Sequence, residues 1–209
     1  RDIIYLCFAS VLSGSYNNAL YAARECSGKW PERRVTVIDS KSECGGEGLL
    51  VYHAAEQKMA GMEMEALSQW IQNAIQHHCH YFTVNDLNHL DRGGRVSRGA
   101  AVMGTLVGIK PVMYTNSLGE LCVGAKVRGR MQAVRMLADK VAATIVEPEQ
   151  QLVIINHADC LEDAERLAQD IRTRVNPAEI RILNLGPVIG AHVGPGCLAV
   201  FFVGENREW

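Results

Sequence analysis

The stretch that decides the fold is IIYLCFASVLSGSYNNALYAAREC, residues 3–26, where a short apolar run is followed by a helical pattern. The run at 3–8 is typical of a buried strand, and 16–26 has the spacing of a helix. Residues 35–39 and 48–59 repeat the same two patterns. This strand-helix-strand-helix order predicts a parallel sheet that is covered by helices.

The following segment extends the first block. Residues 63–77 predict a helix that packs on the sheet through one apolar stripe, made of Met64, Leu67, Ile71, Ala74 and Ile75. Residues 81–84 predict a short buried strand that closes the block near Asp86. Because the first apolar run directly follows Arg1-Asp2, we expect a partial N-terminal parallel α/β domain at 1–86 that lacks its first strands.

A second block begins at Leu87, where a glycine-rich segment precedes an Ala/Gly-rich helical pattern at 97–107. Residues 112–114 and 121–127 flank a turn and predict an antiparallel hairpin. Further helices are predicted at 130–145 and 161–175, and further strands at 152–156, 180–184 and 198–203. Together these patterns predict an α/β protein of two domains, the second being an α+β domain at 87–209 with a mixed sheet and helices on one face.

Composition excludes several classes of protein. Hydrophobic residues make up 48% of the 209 and charged residues 21%, which is typical of a globular protein and not of a disordered chain. The net charge of -2 provides no basic surface for nucleic acid. The seven cysteines form no CxxC pair and are expected to be reduced, and no apolar run reaches the roughly 20 residues of a membrane span. We therefore expect a cytoplasmic location.

The first candidate site is the turn Ser13-Gly14-Ser15, between the first strand and the first helix. Hydroxyl and backbone N–H groups converge there, and the helix dipole favours an anion. The alternative is that Ser13 or Ser15 only caps the helix, which is the commoner use of such serines.

The loop that follows the second predicted strand, residues 39–48, faces the same edge of the sheet. Its glycines do not have the spacing of a phosphate-binding loop or of a dinucleotide fingerprint. The simplest interpretation is a flexible turn in which Ser42 or a neighbour caps a helix. Cys44 is a candidate low-pKa thiol near that helix start, although no histidine can be assigned as its base.

The third candidate is the glycine-rich loop around His192, at 190–196. A histidine among small residues approaches a ligand closely and donates a hydrogen bond to a carboxylate, and Gly194 belongs to the same candidate site. The alternative is a turn histidine that binds nothing.

Two further clusters contain residue types that are used in metal binding and in partner binding. Residues 77–80, His-His-Cys-His, have zinc-ligand chemistry but no second ligand cluster, so no metal site is predicted. Four arginines lie beside glycines or at element ends and suit carboxylate or phosphate contacts: Arg95, Arg98, Arg128 and Arg130. They are predicted to form a docking rim for a protein partner, the alternative being an ordinary solvated surface.

Taken in order, these motifs resemble those of the DegV family. Residues 12–19, LSGSYNNA, resemble the family's LSGTYxxA turn, and 37–40 match its VxDS strand end. Residues 86–96 resemble its LxxLxxGGRI segment, and 109–112, 119–120, 126–130 and 190–196 complete the resemblance over essentially the whole chain. Two features depart from the family: its opening segment with further ligand hydroxyls is absent, and Val193 stands where the family usually has Thr.

The resemblance implies a bacterial fatty-acid-binding carrier. One long-chain fatty acid would lie in an apolar tunnel between the domains, with its carboxylate held by Ser13, Gly14, Ser15, His192 and Gly194. A separate kinase subunit would convert that carboxylate to an acyl phosphate, and the carrier would have no catalytic residue, cofactor or metal. Membrane contact would be transient, for lipid exchange. The alternative is a phosphotransferase or hydrolase that uses His192 in the same crevice, which would need a carboxylate to orient that histidine.

Overall fold

The computed structural model describes residues 2–96 and 108–209. The helix predicted at 97–107 and Arg98 lie outside these residues. Among the described residues, no helix has the length and apolar character needed to cross a membrane.

The first block contains the predicted parallel strands. Strand β1 (Ile3–Cys7) pairs in parallel with β2 (Val35–Asp39), and α1 (Ser15–Lys29) connects them. Helices α2 (Cys44–Met59) and α3 (Met64–Ala74) follow. Their apolar stripes meet Ile38 of β2 in a core that also contains Leu50, Ala54, Leu67, Ile71 and Ile75. Of the predicted stripe, Leu67, Ile71 and Ile75 lie in this core and Ala74 packs against it, whereas Met64 is not among its residues.

The second sheet has six strands in the order β5-β4-β3-β8-β6-β7. Every pair is antiparallel except β6–β7, which is parallel, so the predicted mixed sheet and the predicted hairpin are confirmed. The strands are β3 (His78–Thr83), β4 (Ile109–Thr115), β5 (Leu121–Arg128), β6 (Leu152–His157), β7 (Glu179–Asn184) and β8 (Leu198–Val203). Among the described residues of this part, the helices are α4 (Asn88–Arg92), α5 (Arg130–Thr144), α6 (Leu161–Val175) and α7 (Pro187–Val193).

Two details of the prediction are wrong. The strand at 81–84, expected in the first block, is part of β3, which lies between β4 and β8 in the centre of the large sheet. Helices also cover both faces of that sheet: α5 and α6 pack on one face, while α2, α4 and α7 contribute to a core on the other. Helix α2, which belongs to the first block, covers part of the second face. Periodicity within one block does not indicate a contact with another block. The domain boundary near Asp86 itself stays a prediction.

Strand alternation separates the two cores. In β8, Leu198, Val200 and Phe202 point to the α5–α6 side. The residues between them, Ala199 and Phe201, point to the α2 side. Successive side chains of a strand face opposite ways, so a single apolar strand supplies both layers. The α2 side is the one that contains the candidate site.

Candidate functional site

A cavity of about 310 Å³ lies on the α2 side of the large sheet. It is bounded by the segment after β1, the start of α2, the sheet face, α4, the start of β5 and α7. Most of its wall is apolar: Phe8, Leu12, Phe82, Leu90, Leu121, Leu185, Val188, Ile189, Val193, Ala199 and Phe201. Ser13, Glu43, Cys44, Arg95, His192 and Cys197 complete the lining. The wall is thus drawn from both predicted domains, 1–86 and 87–209.

The serine turn reaches this cavity through Ser13. Its hydroxyl accepts a hydrogen bond from the backbone N–H of Ser15 (3.2 Å) and donates to the Ser15 hydroxyl (3.1 Å). Ser15 supports Ser13 and is not itself part of the lining, and Gly14 is the residue before α1 with ordinary right-handed dihedrals. Ser13 therefore bonds to the first residue of α1 and also lies in the cavity wall, and its contact with a ligand stays a prediction.

His192 lies in a helix rather than in the predicted loop. It is in the last turn of α7, and Gly194 ends that helix with a φ of +72°. Any Cβ on Gly194 would also collide with the His89 ring, so this glycine is needed for close approach of the backbone. Gly194 positions the segment beside His192 and is not part of the cavity lining.

Arg95 lies in the cavity wall, although the sequence predicts it at a docking rim. Its Nε donates to the backbone carbonyl of Leu12 (3.1 Å), next to Ser13, and its guanidinium also donates to the carbonyl of Gly93. A Cβ added to Gly93 would come within 2.5 Å of Nδ1 of His192, which places the imidazole against the same short segment. Ser13, Arg95 and His192 are therefore neighbours, and we call them the donor cluster.

The other arginines have different surroundings. Arg128 is exposed at the end of β5. Arg130 begins α5 and forms an ion pair with Asp163 (Nε to Oδ2, 2.7 Å) beside a second, polar cavity. Neither residue lines the apolar cavity. Their role in docking stays a prediction.

Glu43, directly before α2, is a cavity residue that the sequence prediction missed. Its Oε1 accepts hydrogen bonds from Nδ1 of His80 (2.9 Å) and from the hydroxyl of Thr115 (3.0 Å). Nearby, the buried guanidinium of Arg207 donates to three backbone carbonyls, those of Ile75, Thr115 and Lys41. We call Glu43, His80, Thr115 and Arg207 the Glu43 network.

Electrostatics hold Glu43 in its ionised form. Burial raises the pKa of the Glu43 carboxyl, but the charge and hydrogen bond of His80 and the charge of Arg207 outweigh burial, so the net pKa lies below the ordinary value. Glu47, one turn along α2, behaves in the opposite way: burial and the nearby Glu43 charge raise its pKa to about 7. The surroundings of these two carboxyls, four residues apart in the chain, thus shift their pKa values in opposite directions.

The loop before α2 is packed into the protein. Ser40 and Ser42 are fully buried, and the Ser42 hydroxyl lies 3.3 Å from Nε2 of His80. No side chain caps α2, so the predicted Ser42 cap is wrong. Burial raises the pKa of Cys44 well above its usual range, which excludes the low-pKa thiol considered for that position.

The His-Cys-His-rich segment begins at His77, the last residue of a short 3-10 helix after α3, and continues into β3. His78 and His80 are buried there, and Nδ1 of His53 lies 3.0 Å from Nε2 of His78. Burial lowers the pKa of His78 to about 3, which keeps this imidazole neutral. Over residues 2–96 and 108–209, no three potential ligands are grouped so as to hold a metal ion.

Comparisons with known proteins point to one family. A family model described as "Uncharacterised protein, DegV family" matches residues 1–205. A DegV domain-containing protein of Clostridium perfringens is 45% identical over 207 residues, which cover 99% of this chain and 71% of that protein.

Solved structures agree on the fold. A fatty-acid-binding DegV family protein from Streptococcus agalactiae is 29% identical, with a TM-score of 0.84 over 98% of this chain and 71% of that one. A fatty acid kinase B3 protein from Streptococcus pneumoniae, loaded with linoleic acid, is 22% identical with a TM-score of 0.88 over 97% of this chain and 71% of that one. At that identity the second likeness concerns the fold alone.

Proposed function

The chain belongs to the DegV family, and on this premise we propose that it holds one long-chain fatty acid in the apolar cavity and presents the carboxylate to a separate kinase. The observation that carries the proposal is the donor cluster at the wall of an otherwise apolar cavity. The S. agalactiae relative is described as fatty-acid-binding, which supports the same class of ligand here.

Physical chemistry favours a fatty acid in this cavity. Each methylene group buried against the apolar wall contributes roughly 0.8 kcal/mol. A buried carboxylate is tolerated only where donors replace its water, and Ser13, Arg95 and His192 together offer a hydroxyl, a guanidinium and an imidazole. Arg95 adds a permanent positive charge, so its bond to a carboxylate would be charge-assisted. The ligand class follows from this pairing of an apolar wall with a cationic donor cluster.

In this proposal the carrier does no chemistry of its own. Its residues bind and orient the carboxylate, and the phosphoryl donor and catalytic groups belong to the kinase, as the family resemblance implies. A hydrolase or phosphotransferase that uses His192 would need a carboxylate to orient the imidazole. Among the described residues, no hydrogen bond joins His192 to an acidic side chain. The carrier is therefore the better-supported function.

Organic extraction of the purified protein followed by mass spectrometry tests the binding step. We expect about one equivalent of long-chain fatty acid to be recovered. The matched variant is His192→Ala, in which a carrier loses part of its lipid and its phosphorylation by the kinase together, whereas an enzyme keeps its ligand and loses turnover. Protein that contains no lipid and binds none added afterwards would overturn the proposal.

A further inference from the structure

One feature of Glu43 is not explained by an unsubstituted acyl chain in the cavity. Its Oε2 is buried and has no hydrogen-bond partner among the residues that the structure describes. The residue is 8% exposed and belongs to the lining of the apolar cavity. Buried acceptors are nearly always paired, and an unpaired charged one is more costly than a neutral one.

Neighbouring donors are already committed elsewhere. Nδ1 of His80 and the hydroxyl of Thr115 both serve Oε1 of Glu43. The guanidinium of Arg207 is directed at backbone carbonyls. The neighbouring lining residues are Phe82 and Phe201 from the sheet, which carry no donor, and Cys44, whose thiol is only a weak donor. None of the described residues donates a hydrogen bond to Oε2.

We propose that Glu43 makes the cavity selective for acyl chains that carry a hydroxyl group along the chain, over unsubstituted chains of the same length. This inference rests on the proposed fatty-acid-binding function and names the ligand class more narrowly. The hydroxyl would donate to Oε2 and complete the pairing of the carboxylate. An ionised carboxylate only accepts hydrogen bonds, so a carbonyl at the same position on the chain would gain nothing from it.

The test measures dissociation constants for delipidated protein by displacement of a fluorescent fatty acid. The competitors are stearic acid, a positional series of monohydroxystearic acids and the matching oxostearic acids. For the wild type we expect at least one hydroxy isomer to bind about tenfold tighter than stearic acid, the effect of one net hydrogen bond to a charged group. The matching oxo acid should bind no tighter than stearic acid.

Two variants identify the residue responsible. In Glu43→Leu the hydroxy preference should fall to a ratio of about one, because the acceptor is gone. In Glu43→Gln the amide can still accept from His80 and now presents N–H donors, so the oxo acid should bind better than it does to the wild type. The Gln variant keeps the shape of the side chain, and its oxo-acid response decides the question if the Leu variant fails to fold.

The outcomes distinguish a failure of this inference from a failure of the proposed function. If stearic acid binds tightly but no hydroxy isomer binds better, as when a retained water pairs with Oε2, the selectivity is absent and the fatty acid carrier stands. A hydroxy preference that persists in Glu43→Leu would assign it to another residue and also overturn the inference. If none of the fatty acids binds the wild type, both proposals fail.

Discussion

The donor cluster and the Glu43 network line the same cavity but are built in opposite ways. Ser13, Arg95 and His192 come from three separate segments and keep donor capacity that neighbouring protein groups do not use up. Glu43, by contrast, has one oxygen saturated by His80 and Thr115 and the Arg207 cation nearby. The difference indicates that the donor cluster suits the carboxylate of a ligand. In the Glu43 network, the anion is a side chain of the protein itself.

The largest effect is expected when Arg207 is removed from the Glu43 network. Arg207→Leu removes a buried cation that bonds three backbone carbonyls, and it leaves Glu43 with less compensation. We expect a loss of about 3–5 kcal/mol in the free energy of unfolding, measured by urea denaturation. Arg174→Leu, at an exposed ion pair with Asp139, is the matched control and should change stability by no more than about 0.5 kcal/mol. Equal effects in the two variants would show that Arg207 is not a structural cation.

The next prediction addresses the donor cluster. Arg95→Ala should weaken fatty acid binding by about 1.5–3 kcal/mol, because it removes a charge-assisted donor from the cavity wall. Arg128→Ala, at an exposed position away from the cavity, should leave binding unchanged and lower acyl phosphate formation if the arginine contacts the kinase. Titration with a fluorescent fatty acid and a coupled kinase assay measure the two effects. Unchanged fatty acid binding in Arg95→Ala would contradict a ligand contact and favour the predicted role of this arginine in the docking rim.

Two glycines of α2 provide a further test, measured as changes in the free energy of unfolding. A Cβ on Gly46 would lie 2.2 Å from Cε1 of the buried His80 ring, so Gly46→Ala should displace His80 from Glu43 and cost about 1–3 kcal/mol of stability. A Cβ on Gly48 meets no atom within 4 Å, so Gly48→Ala should stabilise the protein by about 0.5–1 kcal/mol. Thermal or urea unfolding of both variants gives the comparison, and a stable Gly46→Ala protein would contradict it.

The last comparison is a difference in titration between Glu43 and Glu47. The pKa of Glu47 is raised from 4.5 to about 7, so the folded protein retains a proton that the unfolded chain loses. Its contribution to stability is present below pH 4.5 and is lost as the pH rises to about 7. Carboxyl carbon NMR should show a Glu47 midpoint near pH 7, while Glu43 is already ionised there. Glu47→Gln should remove this part of the pH dependence of stability.

Local patterns predicted the elements well where periodicity and breakers agree. Residues 35–39, 161–175 and 198–203 are bounded as predicted, since each has a clear apolar period and polar or glycine flanks. The helix around His192 was missed although its signals are present: Pro187 is at its first position and Gly194 directly follows its end. The glycines by themselves favour a loop, whereas Pro187 and Gly194 together mark a helix.

The sequence by itself determined the order and type of most elements and the position of the serine turn, because each depends on residues close together along the chain. Only the tertiary structure decided that β3 joins the large sheet, that Arg95 faces the cavity and that Glu43 meets His80, 37 residues away. The bond from Arg207 to the carbonyl of Ile75 spans 132 residues. Periodicity states which face of a strand is buried but not which strand or helix covers it, and these contacts depend on that pairing.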